Sequence, residues 1–312
     1  MQTLNDIGEH SAIQRLTSFL HAGDDVLVGA GDDCAVIRPS SSSDDDWVIT
    51  ADPVVEGFHF KSTDDPRLIG RKAIGRTLSD IAAMGARPRW SLIDVVAPGD
   101  TAVEKLEMVY DGARKISDTF GLKIVGGDLS EGRVLEIHVL AIGSLPRGKA
   151  LLRSGAVPGD SVFVTGELGG SAAGGHFTFE PRVQEGEFIR DWATSAIDLS
   201  DGLASDLRHV LDASNVGASI DLAEIPVSKA AEALAPDDNA LQHALKDGED
   251  FELLFTVPGQ SSAEFLSRWK QRFSTPALSR IGIITDRVSE LQAVNASAER
   301  LDIEGWGFRH FD

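Results

Sequence analysis

The richest chemistry in this 312-residue sequence lies in aspartates set beside glycines. They occur as Gly31-Asp32-Asp33, Thr50-Ala51-Asp52, Ser79-Asp80, Gly126-Gly127-Asp128 and Asp198-Leu199-Ser200-Asp201-Gly202. A sixth acidic stretch, Asp247-Gly248-Glu249-Asp250, precedes an apolar run. Any one of them alone reads as a turn or a helix N-cap, where Asp and Gly dominate. Two are badly placed for that reading. Asp80 lies in Gly70–Met84, whose other members are mostly apolar or small, and Asp198 lies in Ala196-Ile197-Asp198-Leu199. A carboxylate in such surroundings is costly unless paired, hydrogen-bonded or bound to a metal. In extended chain Asp198 and Ser200 point to the same side, and Asp201 turns into the helix that follows. Several aspartates from separate segments, with no histidine or cysteine set, suit a hard cation such as Mg²⁺, which takes a few carboxylates completed by water and substrate phosphates. The chemistry is that of a phosphate-and-magnesium site.

The elements that must position these groups follow from periodicity and punctuation. An amphipathic helix is expected over Gly8–Leu20, and short strands over Val26–Val28, Ala35–Ile37 and Trp47–Thr50. Between them Ser40–Asp46, four serines then three aspartates, reads as a solvated hairpin tip. Pro66–Met84 reads as a helix, with proline at its start and Gly85 past its end. Further strands fall at Trp90–Val96, Lys123–Val125 and Glu136–Ile142, with a helix over Val103–Phe120. Composition changes at Leu145–Arg153, which places a domain boundary near Leu145 and domains over 1–145 and 146–312. The second half carries strands at Ser161–Thr165, Ala218–Asp221, Phe251–Val257 and Ile281–Ile284, and helices at Asp201–Ser214 and Glu264–Phe273. The class is α/β (α+β).

Composition narrows the partners. Hydrophobic residues make up 42% and charged residues 25%, as in soluble globular proteins. With 29 Lys+Arg against 49 Asp+Glu, the net charge is −20. Such a field repels nucleic-acid backbones and anionic lipid, so neither nucleic acid nor membrane is an expected partner. Cys34 is the sole cysteine, which excludes an internal disulfide and a cysteine-rich zinc site. No run reaches the ~18–20 apolar residues of a membrane span, and no signal peptide is apparent, so the expectation is a cytoplasmic protein. Gly143–Lys149 nearly spells a P-loop, but Ala150 stands where a hydroxyl is needed and Pro146 interrupts it. Gly166–Gly170 follows a strand and reads equally as a ligand cradle or a tight turn. No Ser/His/Asp or Cys/His arrangement is visible.

As a set, the motifs resemble those of bacterial thiamine-monophosphate kinases. The resemblance rests on Gly31–Val36, Thr50–Phe60, Arg71-Lys72-Ala73, Leu78–Ala86, Gly126-Gly127-Asp128, Arg153–Asp160, Ala196–Leu203 and Gly248–Leu253, in the family's order across nearly the whole chain. It implies the two-domain fold shared with aminoimidazole ribonucleotide synthetase and selenophosphate synthetase, with N-terminal strands pairing across a homodimer. It implies ATP-dependent phosphorylation of thiamine monophosphate to thiamine diphosphate, the last step of that cofactor's synthesis. By motif position, Asp33, Thr50, Asp52, Asp80, Asp128, Asp198 and Asp201 would hold several Mg²⁺ ions. Gly127, Asp128, Arg153 and Ser200 would contact ATP, and His59, Glu249 and Phe308 the thiamine phosphate.

The acceptor is itself a phosphate, largely ionised near neutral pH, so the absence of a visible general base is expected. The chain departs from the family at Ala51, where a threonine is usual, and at Asp247, where a glycine is usual. Competing readings are another ATP-dependent member of the superfamily, or a catalytically silent nucleotide- and Mg²⁺-binding module. Cys34 sits inside the Asp-Asp motif rather than in the glycine-rich segment expected of a selenophosphate synthetase.

Overall fold

The computed structural model describes residues 3–19, 23–234, 240–294, 300, 301, 303 and 305–307. Its first half is built on strands β1 (Val26–Val28), β2 (Ala35–Ile37), β3 (Asp45–Val55), β4 (Arg87–Ala97), β5 (Lys123–Gly126), β6 (Leu129–Glu131) and β7 (Glu136–Pro146). They form one sheet in the order β1-β2-β3-β7-β4-β5, with β6 also on β4. The long strands β3, β7 and β4 pair antiparallel, Thr50 opposite Ala141 and Asp52 opposite Val139, while β5 and β6 run parallel to β4. A second seven-stranded sheet is ordered β14-β13-β10-β12-β8-β11-β9. Its strands are β8 (Ser161–Thr165), β9 (Ser195–Asp198), β10 (Gly217–Asp221), β11 (Leu253–Val257), β12 (Leu278–Thr285), β13 (Leu291–Val294) and β14 (Arg300–Leu301).

The helices are α1 (Leu4–Thr17), α2 (Pro66–Ala83), α3 (Val103–Phe120), α4 (Gly175–Thr178), α5 (Val183–Ile189), α6 (Leu203–Ser214), α7 (Lys229–Leu234), α8 (Ala240–Lys246) and α9 (Ser262–Arg272). Helix α2 is the element on which both halves pack. Its start is set by Asp65, whose carboxylate accepts from the Arg67 N–H, and by Pro66 in the first turn. Ile69, Ile74, Leu78 and Ile81 on it are fully buried. The core joins Ile69 and Leu78 of this helix, Ile93 and Val139 of the first sheet, and Phe163 and Phe255 of the second. A helix buried on nearly every side has no amphipathic stripe, which is why small and apolar residues occur all around it between its few charged ones.

Close approach of α2 to α3 depends on two glycines. A Cβ at Gly70 would fall 1.9 Å from the Val109 carbonyl oxygen, and one at Gly112 would fall 1.9 Å from that of Arg67. Backbone therefore touches backbone, and neither partner has a flexible end that can yield.

Three expectations are corrected. The N-terminal helix is not a continuous amphipathic element over Gly8–Leu20. It spans Leu4–Thr17 with a break at Gly8 (φ 72°), and its apolar residues Leu16 and Phe19 face solvent. The hairpin tip is shorter than Ser40–Asp46, because β3 begins at Asp45 and Asp46 is buried. Asp46 is drawn inward by Arg38, which donates to it through Nε at 2.8 Å and Nη2 at 2.9 Å. The second-half helix also starts later than Asp201, at Leu203, with Gly202 as its N-cap.

Replacing Gly112 with alanine should destabilise the protein by about 2–3 kcal/mol, because the clash outweighs the gain of about 1 kcal/mol in helix propensity. Urea unfolding checks this: the midpoint should fall with the slope unchanged.

Candidate active site

Five aspartates meet where β3, α2 and β9 converge. Asp32 and Asp33 come from the loop after β1, Asp52 from β3, Asp80 from α2 and Asp198 from the end of β9; all five line a cavity of about 240 Å³. Thr50, Ala51, Arg76, Arg153, Ser200 and Phe251 complete its wall. A larger groove of about 580 Å³ runs along α3 past Tyr110 and Arg114, but its Asp111 and Asp118 are paired with Arg114 and Lys115 of the same helix. Acid chemistry is therefore concentrated in the smaller cavity.

The carboxylates are held by short hydrogen bonds. Thr50 Oγ1 donates to Asp80 Oδ2 at 2.5 Å, and Ser79 Oγ to Asp198 Oδ2 at 2.6 Å. Arg153 Nη2 donates to Asp33 Oδ1 at 2.5 Å, and the Arg153 backbone N–H donates to Asp32 Oδ2 at 3.1 Å. This arrangement leaves Asp33 Oδ2 buried with no hydrogen-bond partner. An orphaned carboxylate oxygen among hard oxygen donors, with no sulfur or imidazole on the wall, fits an oxygen-seeking divalent cation such as Mg²⁺.

Electrostatics reinforce that fit. Burial first, then the neighbouring Asp33 charge, raises the Asp32 carboxyl to about 6. Burial and Asp33 likewise push Asp198 up to about 7. Asp80 is raised well above the usual carboxylate range by burial and by Asp52, Asp198 and Asp33 around it. Three carboxyls thus resist ionisation in the absence of added positive charge.

A second network borders the cavity. The fully buried Lys72 ammonium donates to the His59 carbonyl at 2.7 Å and to Glu249 Oε2 at 2.9 Å, and lies 2.8 Å from His176 Nδ1. Arg76 joins Glu249 to Asp52. Burial alone would raise the Glu249 carboxyl, but Lys72 and Arg76 outweigh it and hold it low. The Glu249 loop is stitched to the Asp198–Ser200 segment: Glu249 N–H donates to Ser200 O and Phe251 N–H to Leu199 O, each at 2.8 Å. Glu249 (φ 64°) and Phe251 (φ 53°) both adopt left-handed backbone. For a non-glycine residue that conformation persists only where surrounding bonds fix it, and it gathers at functional sites.

The sequence candidates divide by position. Asp33, Thr50, Asp52, Asp80, Asp198, Arg153 and Ser200 are on the cavity wall. His59 and Glu249 are joined through Lys72 beside it. Gly127 and Asp128 are not on the wall; Asp128 is exposed and accepts from Ser130 Oγ at 3.1 Å. Gly127 is packed against β4, where a Cβ would fall 1.8 Å from the Ile93 carbonyl oxygen. Asp201 belongs to a neighbouring group with Asp206 and His209, whose donor atoms lie within 4.8 Å of one another. Asp206 also caps the turn, accepting from the Asp201 and Gly202 N–H groups at 3.0 and 3.1 Å. Asp247 turns from the cavity to His243 Nδ1, 2.6 Å away. Phe308 lies outside the described residues. Sequence reading quoted Asp32 and Lys72 within motifs but gave them no role in the site, and it passed over Arg76. The signal was present: Lys72, Arg76 and Asp80 follow one another at four-residue steps, along one helix face.

Because the raised carboxyls penalise the folded state as pH rises, Asp80→Asn should stabilise the cation-free protein at pH 8. The gain should be about 1–2 kcal/mol, the usual size at a strained functional site. The two proteins converge only below the ordinary aspartate pKa of about 4, where the carboxyl is protonated in the unfolded as well as the folded wild type, so the difference should shrink through pH 5 and vanish toward pH 3. Denaturant titration in chelator across this range measures it; equal stability at pH 8 would remove the repulsion argument.

Comparison with known proteins follows the same geometry. Residues 31–145 match the family profile of the AIR synthase related protein N-terminal domain, and residues 180–293 that of its C-terminal domain. A structure of AaThiL complexed with AMPPCP and TMP superposes with a TM-score of 0.85 at 28% identity, covering 100% of this chain and 99% of that one. Thiamine-monophosphate kinase from Stenotrophomonas maltophilia K279a superposes with a TM-score of 0.75 at 32% identity, covering 93% of this chain and 96% of that one. The thiamine-monophosphate kinase of Escherichia coli K12 is 40% identical over 277 residues, which is 80% of this chain and 83% of that relative. With 40% identity over 80% of its length to such a kinase, the chain belongs to the thiamine-monophosphate kinase family.

Proposed function

We propose that the protein transfers the γ-phosphoryl group of ATP to thiamine monophosphate, giving ADP and thiamine diphosphate. The observation that carries this reading is the cavity of five aspartates and two arginines in a member of this kinase family. A relative of the same fold is complexed with AMPPCP and TMP, an ATP analogue and an acceptor together.

The chemistry asks for little covalent help from the protein. The acceptor oxygen belongs to a phosphate with a second pKa of about 6, so it reaches the site already ionised and needs no general base. The obstacle is repulsion between two polyanions, and the residues act on charge and alignment. Asp33, Asp52, Asp80 and Asp198, with Thr50, would hold Mg²⁺; Asp128 and Asp201, carried over by motif position, would add further carboxylates from outside the cavity wall. Bound there, Mg²⁺ neutralises phosphate charge and orients donor and acceptor oxygens. Arg153 adds fixed positive charge on the ATP side, with Ser200 beside it and Gly127 near the nucleotide. Glu249, negative and held by Lys72, would face the cationic thiazolium, with His59, joined to it through Lys72, and Phe308, carried over by motif position, as further contacts of the thiamine phosphate.

We also propose a homodimer. Trp90 and Leu92 of β4, with Val125 of β5 and Leu129 of β6, expose apolar side chains on one sheet, Leu129 to 65%. Trp47 meets Trp90 edge-on at 5.8 Å on the same sheet. Large apolar side chains exposed together on one sheet suit coverage by a partner. The halves 1–145 and 146–312 act as two domains meeting at the cavity: the first sheet ends at Pro146 and the second begins at Ser161. We place the enzyme in the cytoplasm, where ATP is made available; no described helix is long and apolar enough to cross a membrane.

Purified protein with ATP, Mg²⁺ and thiamine monophosphate should yield ADP and thiamine diphosphate in equal amounts by chromatography, and neither without Mg²⁺. Asp198→Asn should lower kcat/KM by on the order of 100-fold or more. ATP binding without ADP release would favour a silent module. In sedimentation, Leu92→Arg should convert a dimer to monomers; a wild-type monomer would remove the dimer.

A further inference from the structure

Arg76 is a cation that the carboxylate scheme does not require. It projects from α2 into the cavity wall, one turn ahead of Asp80. Nη1 donates to Glu249 Oε1 at 3.1 Å, whereas Nη2 reaches Asp52 Oδ1 only at 3.5 Å, the outer limit of a hydrogen bond. Nε is buried with no partner. A guanidinium offers five N–H donors in a fixed plane, so much of this one's donor capacity is unspent.

The two neighbouring cations differ from it. Lys72 has three partners, the His59 carbonyl, His176 and Glu249, at 2.7, 2.8 and 2.9 Å. Its charge is the larger of the two that hold Glu249 ionised, with that of Arg76 second. Arg153 is committed to Asp33 through both Nε and Nη2. Of the two arginines on the cavity wall, Arg76 is the one with a buried donor that has no partner. Its place matters equally: it stands between Asp52, on the metal side, and Glu249, on the thiamine side. A phosphate entering from the Glu249 side meets this guanidinium before it meets the aspartates.

Resting on the function proposed above, we propose that Arg76 grips the phosphate of thiamine monophosphate and holds the acceptor oxygen toward the donor. Paired N–H groups of an arginine match two oxygens of a phosphate, and the bound dianion meets donors that the protein leaves unmet. Arg76 is therefore a catalytic residue that touches the substrate and selects for its phosphate. Burial would lower its basicity, but Asp52, Glu249 and Asp80 outweigh that and keep it charged.

Calorimetry with two ligands tests the assignment: thiamine monophosphate, and thiamine, which lacks the phosphate. Arg76→Gln should weaken the monophosphate by about tenfold or more while leaving thiamine within about twofold of wild type. Arg76→Lys keeps the charge without the fork and should fall between. In turnover, the KM for thiamine monophosphate should rise and that for ATP should not. Matching thermal melts establish that both variants fold, since Lys72 still pairs Glu249. Equal weakening of the two ligands would make Arg76 a structural neutraliser and overturn the proposal, as would an unchanged affinity for the monophosphate. Wild-type protein that phosphorylates thiamine monophosphate while Arg76→Gln does so undiminished overturns the role of Arg76 alone. A wild-type protein that neither binds nor phosphorylates it overturns the function as well.

Discussion

The constraint on which the rest of this structure depends is repulsion among buried carboxylates. Five aspartates share a cavity of about 240 Å³, and burial with mutual charge lifts Asp32 to about 6 and Asp198 to about 7. Left to themselves such groups would swell toward water or keep their protons. They stay because each is fixed from behind: Asp80 by Thr50, Asp198 by Ser79, Asp33 by Arg153. The unpaired Asp33 Oδ2 shows how far this internal compensation goes and where it stops. The deficit is positive charge, and a site short of positive charge recruits cations.

Holding the carboxylates in place requires a stiff carrier, which is α2. It delivers Lys72, Arg76, Ser79 and Asp80 from one helix, locked against α3 by the contacts at Gly70 and Gly112. Both sheets use it as common ground. The first places Thr50 and Asp52 over it from β3, and the second brings Asp198 to it from the end of β9. The strained Glu249–Phe251 loop is then tied to the Leu199–Ser200 backbone, so it cannot relax without moving the Asp198 segment. Two halves of the chain become one site because one helix and one loop are shared.

Much of this was legible in sequence where chemistry and local context conflicted. Asp80 in an apolar helix and Asp198 in an apolar strand stood out because isolated carboxylates do not belong there, and both line the cavity. The long helix Val103–Phe120 was plain from periodicity and punctuation. Short elements were not: α4, α5, α7 and α8 have at most seven residues, too few for a helical period to show. Asp46 was misplaced because nothing local reveals Arg38 across the hairpin. Arg76 and Lys72 were given no role because buried cations look like surface residues until the partners that bury them are known.

The two basic residues on α2 illustrate why such partners decide a role that residue type does not. An ammonium is compact and has three donors, and at Lys72 all three meet acceptors in the surrounding protein. That makes it a rivet: it joins the β3–α2 turn at His59, helix α4 at His176 and the Glu249 loop. A guanidinium is larger, flat and richer in donors, and at Arg76 the protein leaves part of that surplus unmet beside the cavity. Exchanging the two would invert both tasks. Lysine at 76 would lack the paired donors, while arginine at 72 would crowd a fully buried pocket shaped around a single point charge. The helix thus carries one cation for architecture and, one turn later, one for the substrate.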